Sequence, residues 1–478
     1  MPLVLGGSAV AAAAYSIDNS CRFNGGDSAR LTSDFVGTGS SSAAIATYSM
    51  WVKLALEDNR ATVISGMDDE SNYLKVRFAD DGAGWYFAIY GGSPACDLRS
   101  NAVFRDPSAW YNVVMAFDTA QATDTNRIKV WINGTQITWS TATFLAQDSE
   151  LFLTKSDDLE IGSHNNTEFF DGYMAELVCI DGTALDETSF GEFDSDSPTI
   201  WKPKDVSGLT FGTKGYWLDF GDSAALGDDV SGNNNDFTEV NIVAADKSQD
   251  SPTNNFSTMN PLNTSSYMAL SNGNNTCTGS SASDKGSTAS TISPNAGKWY
   301  AECKYTNVAH TNYPRAGMFQ IDSVYFGRLL NGDTGMAGYS PSSFSYFANR
   351  ILLINNSETA DWGSAVSSGD ITAIAIDCDN GAAYFAIENT WQDSGDPTSG
   401  ASKTGAAVTW TPASFSGIAF SDSEYNGSYT EWNFGNGCFG DTVVTSAEAD
   451  GNGYGLFEYA PPSGYLALCT KNLGSDGG

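Results

Sequence analysis

The chain is poor in basic residues: 23 Lys and Arg stand against 57 Asp and Glu in 478 residues, a net charge of −34 at pH 7. Charged residues make up only 17% of the chain, so the acidity comes from missing bases rather than from an acidic tract. No clustered Lys/Arg stripe offsets it. A phosphate backbone or an anionic membrane surface meets a repelling field, and neither nucleic acid nor membrane is expected as a partner. Histidine is nearly absent, and the two present, His164 and His310, lie in polar Asn/Thr-rich stretches that read as loops. Dyads or triads built on histidine are hard to assemble from them. The eight cysteines, Cys21, Cys96, Cys179, Cys277, Cys303, Cys378, Cys438 and Cys469, form no CxxC pair and no close spacing, which argues against a zinc site. Several sit in apolar, strand-like runs such as Leu177–Ile180 and Ile371–Cys378, where a buried reduced thiol is expected. No run approaches the roughly 18 apolar residues of a membrane-spanning helix. Helical periods longer than a turn or two are missing as well.

What is plentiful is glycine (49 residues) and aromatic side chains (12%). Turn dipeptides recur throughout, among them Asn24-Gly25, Asp81-Gly82, Asn133-Gly134, Asp171-Gly172, Asn331-Gly332, Asn380-Gly381 and Asn436-Gly437. Between them lie short runs rich in Val, Ile, Phe, Tyr and Trp, for example Tyr48–Lys53, Trp110–Phe117, Ile128–Ile132 and Ile371–Ile376 with Ala383–Ile387. This is the punctuation of antiparallel hairpins. The fold class is all-β: two antiparallel, jelly-roll-like β-sandwich domains joined by a loop-rich connector. The divisions are an N-terminal attachment segment (1–14), a first sandwich (15–190), a Pro/Asp/Asn-rich connector ending in a Ser/Gly/Asn-rich linker (191–289), and a second sandwich (290–478). The apolar start, Met1 to Ser16, lacks the basic n-region of a signal peptide, since the first Lys or Arg is Arg22.

In the first domain the order Ser20-Cys-Arg-Phe-Asn-Gly25, Tyr48-Ser-Met-Trp51-Val-Lys53, Trp110-Tyr111 to Phe117-Asp118, Lys129-Val-Trp-Ile-Asn-Gly134, Leu159-Glu-Ile-Gly162 and Phe170-Asp-Gly172-Tyr-Met-Ala-Glu-Leu177 resembles the laminin-G-like, concanavalin-type jelly roll. Trp51, Trp110, Phe117 and Trp131 fall at alternating strand positions and are expected to fill the space between two stacked sheets. The fold also hosts glycoside hydrolases, which need paired carboxylates on one strand. The nearest run, Asp157-Asp158-Leu-Glu160, has the wrong spacing, so no catalytic residues are assigned and no enzyme is expected. Some laminin-G-like domains hold Ca²⁺ at the sheet rim. The loop bearing Asp228, Asp229, Asn233 and Asp236 offers oxygen donors suited to such a hard cation, with a solvated turn as the competing reading. No other cofactor is expected.

In the second domain Gly297-Lys-Trp299-Tyr-Ala-Glu302, Gly338-Tyr339, Gly369-Asp370-Ile-Thr-Ala-Ile-Ala-Ile-Asp377, Ala383-Tyr-Phe385, Trp432-Asn433-Phe434-Gly435 and Pro462-Ser-Gly464-Tyr465 resemble a SPRY domain. Asn389-Thr390 stands where that family usually reads Asn-Gly. Asp377-Cys-Asp379-Asn-Gly381 imitates the start of an EF-hand loop, but a strand-like run follows, so a hairpin is expected. SPRY domains bind partners through loops at one end of the sandwich. Carried over to this chain, that implies Trp391, Tyr425, Tyr429 and Trp432 as ligand-binding aromatics, with Trp432 equally readable as core.

The pair of modules with its connector is similar as a whole to virion structural proteins of tailed bacteriophages from marine hosts. The resemblance implies a non-enzymatic head or tail fibre, located in the virion, that adheres to a host-surface glycan or receptor. Other virion proteins would hold it through the N-terminal segment. A homotrimer is common for such fibres, though no coiled coil enforces one. A capsid decoration protein and a concanavalin-like polysaccharide depolymerase are the alternatives.

Overall fold

The computed structural model describes residues 15–33, 44–55, 60–82, 84–93, 95–155, 158–310, 312–321, 337–338, 343–412 and 417–476. The attachment segment 1–14, Asp157, Asn331-Gly332 and Tyr339 lie outside them. The described residues form two β-sandwiches whose strand pairings are antiparallel apart from one short parallel pair, Trp299 with Leu466 and Tyr300 with Ala467.

In the first sandwich one sheet runs in the order Thr135–Gln136, Ile128–Ile132, Tyr111–Asp118, Ile45–Leu54, Gly172–Asp181, Ser20–Phe23, Lys247–Ser248, with Tyr216–Leu218 added against Gly172–Asp181. The facing sheet runs Trp139–Thr143, Cys96–Val103, Trp85–Gly91, Asn72–Asp80, Arg60–Asp69, Asp158–Ile161, Arg30–Ser33, Thr238–Val240. Alternation sorts each strand. On Ile45–Leu54, Ala46, Tyr48, Met50, Val52 and Leu54 enter the core between the sheets. The Asn133-Gly134 turn joins its strands as expected: both residues are left-handed (φ 47 and 72), the two-residue geometry that follows the strands' own twist. A side chain at Gly134 would lie 2.2 Å from the Trp201 ring, which packs over the turn.

One expectation fails here. Phe117 does lie between the sheets, but Trp51, Trp110 and Trp131 point the other way. Trp51 and Trp110 pack with Ile17, Tyr173 and Ala175, and Trp131 with Phe190, Val206 and Phe211. This sheet is therefore covered on both faces, and period-two alternation alone does not tell which face is the deeper.

The connector at 191–289 is a second correction. Tyr216–Leu218, Thr238–Val240 and Lys247–Ser248 are edge strands of the first sandwich. The Ser/Gly/Asn-rich stretch forms three strands of the second, Met268–Ser271, Thr276–Gly279 and Gly286–Ala289. Small polar residues lack a sequence signature for strands, yet here their backbones complete ladders begun by apolar neighbours.

The second sandwich stacks Met268–Ser271, Thr276–Gly279, Tyr429–Asn433, Lys298–Asn307, Ile371–Asp377, Ala382–Ile387, Thr390–Trp391 against Gly286–Ala289, Ile418–Glu424, Arg315–Gln320, Phe344–Phe347, Leu352–Ile354, Ser357–Thr359. The Asp377–Gly381 run is a hairpin: Asp377 accepts hydrogen bonds from the Asn380 backbone and side chain. At the unusual Asn389-Thr390, Glu388 and Asn389 take the left-handed turn positions instead (φ 47 and 59). All eight cysteines are buried free thiols.

A polar seam locks the sandwiches together. Lys53 Nζ donates to Asp250 Oδ2 (2.7 Å), Asn255 Oδ1 (2.8 Å) and the Phe256 carbonyl (3.0 Å). Asp250 also accepts from Trp110 Nε1 at 3.1 Å. Arg22 pairs with Asp246 at 2.8 Å and reaches across to the Gly440 carbonyl at 3.0 Å. Both cations are buried, so each needs these partners to offset its lost hydration.

Candidate functional site

The facing sheet of the first sandwich turns its other side outward, and three neighbouring strands build a cationic and aromatic surface there. Leu74, Val76 and Phe78 point into the core, which sends Tyr73, Lys75 and Arg77 out. Phe87 and Ile89 point in, and Tyr86, Ala88 and Tyr90 out; Cys96 and Leu98 point in, and Asp97 and Arg99 out. The register sets Arg77, Ala88 and Arg99 in one row and Lys75, Tyr90 and Asp97 in the next. Ala88 is small, so both guanidiniums lean onto Tyr90: Arg77 Cζ lies 4.3 Å and Arg99 Cζ 5.4 Å from its ring centre. Such contacts favour a cation over the electron-rich ring face. Tyr86 and Tyr90 join hydroxyl to hydroxyl at 3.5 Å, and burial together with this contact pushes the Tyr90 hydroxyl up to about 12.

At the inner margin three cations meet one carboxylate. Glu168 accepts from Arg60 (2.8 Å), Lys75 (2.8 Å) and Arg77 (2.9 Å). Burial by itself would raise its carboxyl, but the Lys75 hydrogen bond and the charges of Arg77 and Lys75 override that and hold it at about 2. His164 packs against Tyr73 with ring centres 4.8 Å apart and planes tilted by 46°. Burial, reinforced by the Lys75 charge, lowers His164 to about 4. At neutral pH the face thus offers fixed cations, aromatic rings and an ionised carboxylate, while the imidazole is neutral. Glu168 cannot deliver a proton, so it does not supply the raised-pKa acid that glycosidic cleavage requires. The arrangement is fitted to holding a ligand by stacking and hydrogen bonding.

The residues singled out from sequence lie elsewhere and do not converge. Trp432 is fully buried, stacked on Phe434 at 5.5 Å and donating its indole N–H to Asp422 at 2.7 Å, so it is core and not ligand surface. Trp391 is part-exposed on the far edge strand, while Tyr429 is part-exposed four strand steps away, roughly 19 Å at the usual strand spacing. Tyr425 is tied down by a hydrogen bond to the Ala282 carbonyl (2.7 Å) and packs with His310 and Tyr313 at 5.2 and 5.6 Å. Ser421 to Glu424, just before it, belong to a buried strand, and only Tyr425 to Ser428 turn.

Asp228, Asp229, Asn233 and Asp236 do share one loop, which closes on itself. Asp229 accepts from the backbones of Trp217 (2.9 Å), Ser231 (2.9 Å) and Asn235 (2.9 Å) and from the Ser231 hydroxyl (2.9 Å). Asp236 accepts from the Asp229 backbone at 3.0 Å, and the Asn233 amide donates to the Gly212 and Gly215 carbonyls. These carboxylates already serve as turn closures, and among the described residues no group of three or more His, Cys, Asp or Glu is placed to hold a metal ion. Asp229 is buried and its oxygens are taken by these turn contacts, so the loop is closed by its own hydrogen bonds.

The tyrosine and arginine face is not among the sites expected from sequence, although its signal is present there. Tyr73-Leu-Lys75-Val-Arg77-Phe and Tyr86-Phe-Ala-Ile-Tyr90 alternate cleanly, and four of the scarce basic residues fall at outward positions of adjacent strands.

Residues 23–188 match the family model of the concanavalin A-like lectin/glucanases superfamily, of the laminin-G type. No curated protein matches the chain. Among solved structures, the SPRY domain of human HERC1 is similar at 13% identity, covering 36% of this chain and 96% of that one, with a TM-score of 0.28. A putative carbohydrate binding protein from Bacteroides ovatus is similar at 17% identity over 48% of this chain and 60% of that one (TM-score 0.34). Domain 4 of AbnA, an extracellular arabinanase from Geobacillus stearothermophilus, solved with arabinotriose, is similar at 21% identity over 33% and 67% (TM-score 0.25). At such scores these likenesses carry no functional argument.

Proposed function

We propose that this chain is a non-enzymatic binding protein that holds a saccharide on a receptor or cell surface through the face built by Tyr73, Tyr86, Tyr90, Arg77 and Arg99. The observation that carries the reading is the pair of guanidiniums flanking Tyr90 on an outward sheet face, within the segment that matches a lectin-like family. Aromatic rings stack on the apolar faces of sugars while arginine N–H groups bond hydroxyls, a combination suited to a shallow, specific site. Binding of the full chain to an immobilised glycan panel, lost in Tyr90→Ala with the thermal midpoint unchanged, is the expected result. Retention of every glycan signal by Tyr90→Ala would reject the face.

The same proposal places the protein in a tailed-phage virion, as a head or tail fibre. Support comes from the resemblance of the two-module sequence to such proteins and from the seam that fixes the modules rigidly, as a surface-displayed adhesin requires. Immunogold labelling of intact virions with antibody to residues 290–478 is expected to decorate particles. Label confined to infected-cell extract would remove the virion role. Turnover of a polysaccharide by the purified chain would overturn the non-enzymatic part.

A further inference from the structure

Three cations converge on Glu168, and one carboxylate cannot compensate three. Arg60, Lys75 and Arg77 all lie within 2.9 Å of its oxygens, and the Lys75 and Arg77 side chains are only 9% and 10% exposed. Buried charge is stable only when paired and fully hydrogen-bonded, so this cluster carries surplus positive charge in a chain of net charge −34. A donor is also left over: Arg77 Nε is buried with no hydrogen-bond partner, although a guanidinium is an obligate donor. Arg99 stands beside it, 40% exposed, with Asp97 as its partner at 3.1 Å. Glu168 itself is held at a left-handed backbone position (φ 49), with its carbonyl fixed to Thr62 N at 3.1 Å. Its backbone is anchored, so the side chain can leave the cluster without the loop unfolding.

Resting on the proposed saccharide-binding reading of this face, we infer that the cluster is the seat of an anionic group of the ligand, a carboxylate or sulfate ester on an acidic saccharide. This group displaces the Glu168 side chain into solvent and takes its place against Arg60, Lys75 and Arg77. Glu168 is then an internal stand-in that keeps the cations ordered in the absence of ligand. Tyr86 and Tyr90 stack on the adjoining sugar rings, and Arg77 Nε gains its missing acceptor. Planar or tetrahedral oxyanions match the fork of arginine N–H groups. At about 0.15 M salt charges are screened beyond about 8 Å, so the distant acidic surface does not cancel this local field.

The test uses the full chain in about 0.15 M salt and three soluble polymers: alginate, which carries carboxylates, dextran sulfate, which carries sulfate esters, and neutral dextran. At least one acidic polymer is expected to bind roughly tenfold or more tighter than dextran, a difference of about 1.4 kcal/mol, and the preferred one identifies the oxyanion. Glu168→Gln removes the internal competitor and is expected to tighten the acidic polymer by about tenfold. Arg60→Gln, at a side chain 57% exposed, is expected to loosen it several-fold and keeps the test open if Glu168→Gln does not fold. Unchanged or weakened acidic-polymer binding in Glu168→Gln, or no change in Arg60→Gln, overturns the inference. Equal binding of dextran that Tyr90→Ala abolishes would also overturn it while leaving the saccharide-binding face intact. Binding of none of the polymers, together with a glycan panel indifferent to Tyr90→Ala, would end both.

Discussion

Two carboxylate sites, one in each sandwich, handle buried charge in opposite ways. In the first, Glu168 is part-exposed and ringed by Arg60, Lys75 and Arg77, so its charge is stabilised. In the second, Asp422 and Glu424 point from strand Ile418–Glu424 into the core, on the same side as Ile418 and Phe420. Their partners are neutral: Thr430 (2.6 Å) and Trp432 (2.7 Å) donate to Asp422, and the Ser428 hydroxyl to Glu424. Burial raises both carboxyls, Asp422 to about 6. Glu302, fully buried, accepts four hydrogen bonds from Tyr300, Asn433 and the backbones of Glu458 and Tyr459, yet burial still pushes it up to about 7. In this part of the second core neutral donors hold the acids, and burial raises their carboxyls.

The seam between the two regions is where that comparison breaks most easily. Asp250→Ala leaves Lys53 buried without its charge partner and removes the acceptor of Trp110, and it is expected to cost about 3 to 5 kcal/mol. Denaturant unfolding of the full chain measures this, and a loss below about 1 kcal/mol would show that the seam is not a stabilising element.

Next in size is the pH response of the second sandwich. The folded-state values of Asp422 and Glu302 lie above the usual carboxylate range, so the stability they contribute is complete below about pH 4 and is lost as pH rises through 6 and 7. Each shift of about 2 units corresponds to about 3 kcal/mol. Thermal midpoints at fixed salt between pH 5 and pH 8 should fall, and Asp422→Asn should flatten the descent. Glu168 in the first sandwich works with the other sign: its contribution is present above about pH 4.5 and disappears as pH falls toward 2. A midpoint that rises steadily from pH 5 to 8 would contradict the second-sandwich half of the comparison.

Trp432→Phe keeps the ring but removes the indole donor to Asp422, and a loss of about 1 to 3 kcal/mol is expected by the same unfolding assay. The smallest effect belongs to Arg60→Gln, whose exposed pair with Glu168 contributes less than about 1 kcal/mol to stability.

Strand and turn were readable from residues such as Asn133-Gly134 and Ile371–Asp377, where local backbone preference and apolar alternation agree. Thr276–Gly279 and Gly286–Ala289 were not, because Ser, Thr and Gly become strands only when a neighbouring ladder supplies partners. Trp432 was readable as core or as ligand surface for a related reason. Trp432 looks the same in sequence whether it caps a loop or fills a core, and its place on a strand four steps in from the edge bearing Trp391, facing the core, decides. The tyrosine and arginine face needed two facts at once, the alternation within each strand and the register between strands, and only the first is local.

By itself the sequence determined the all-β class, the two sandwiches and the absence of cationic surface on the large scale, since these follow from composition and period-two pattern. The tertiary structure decided which face of the tryptophan-bearing sheet is core, that the connector completes both sandwiches, and that four of the few basic residues meet on one surface. Those outcomes depend on pairings between residues tens to hundreds of positions apart, such as Arg77 with Glu168 and Lys53 with Asp250. No local preference encodes them.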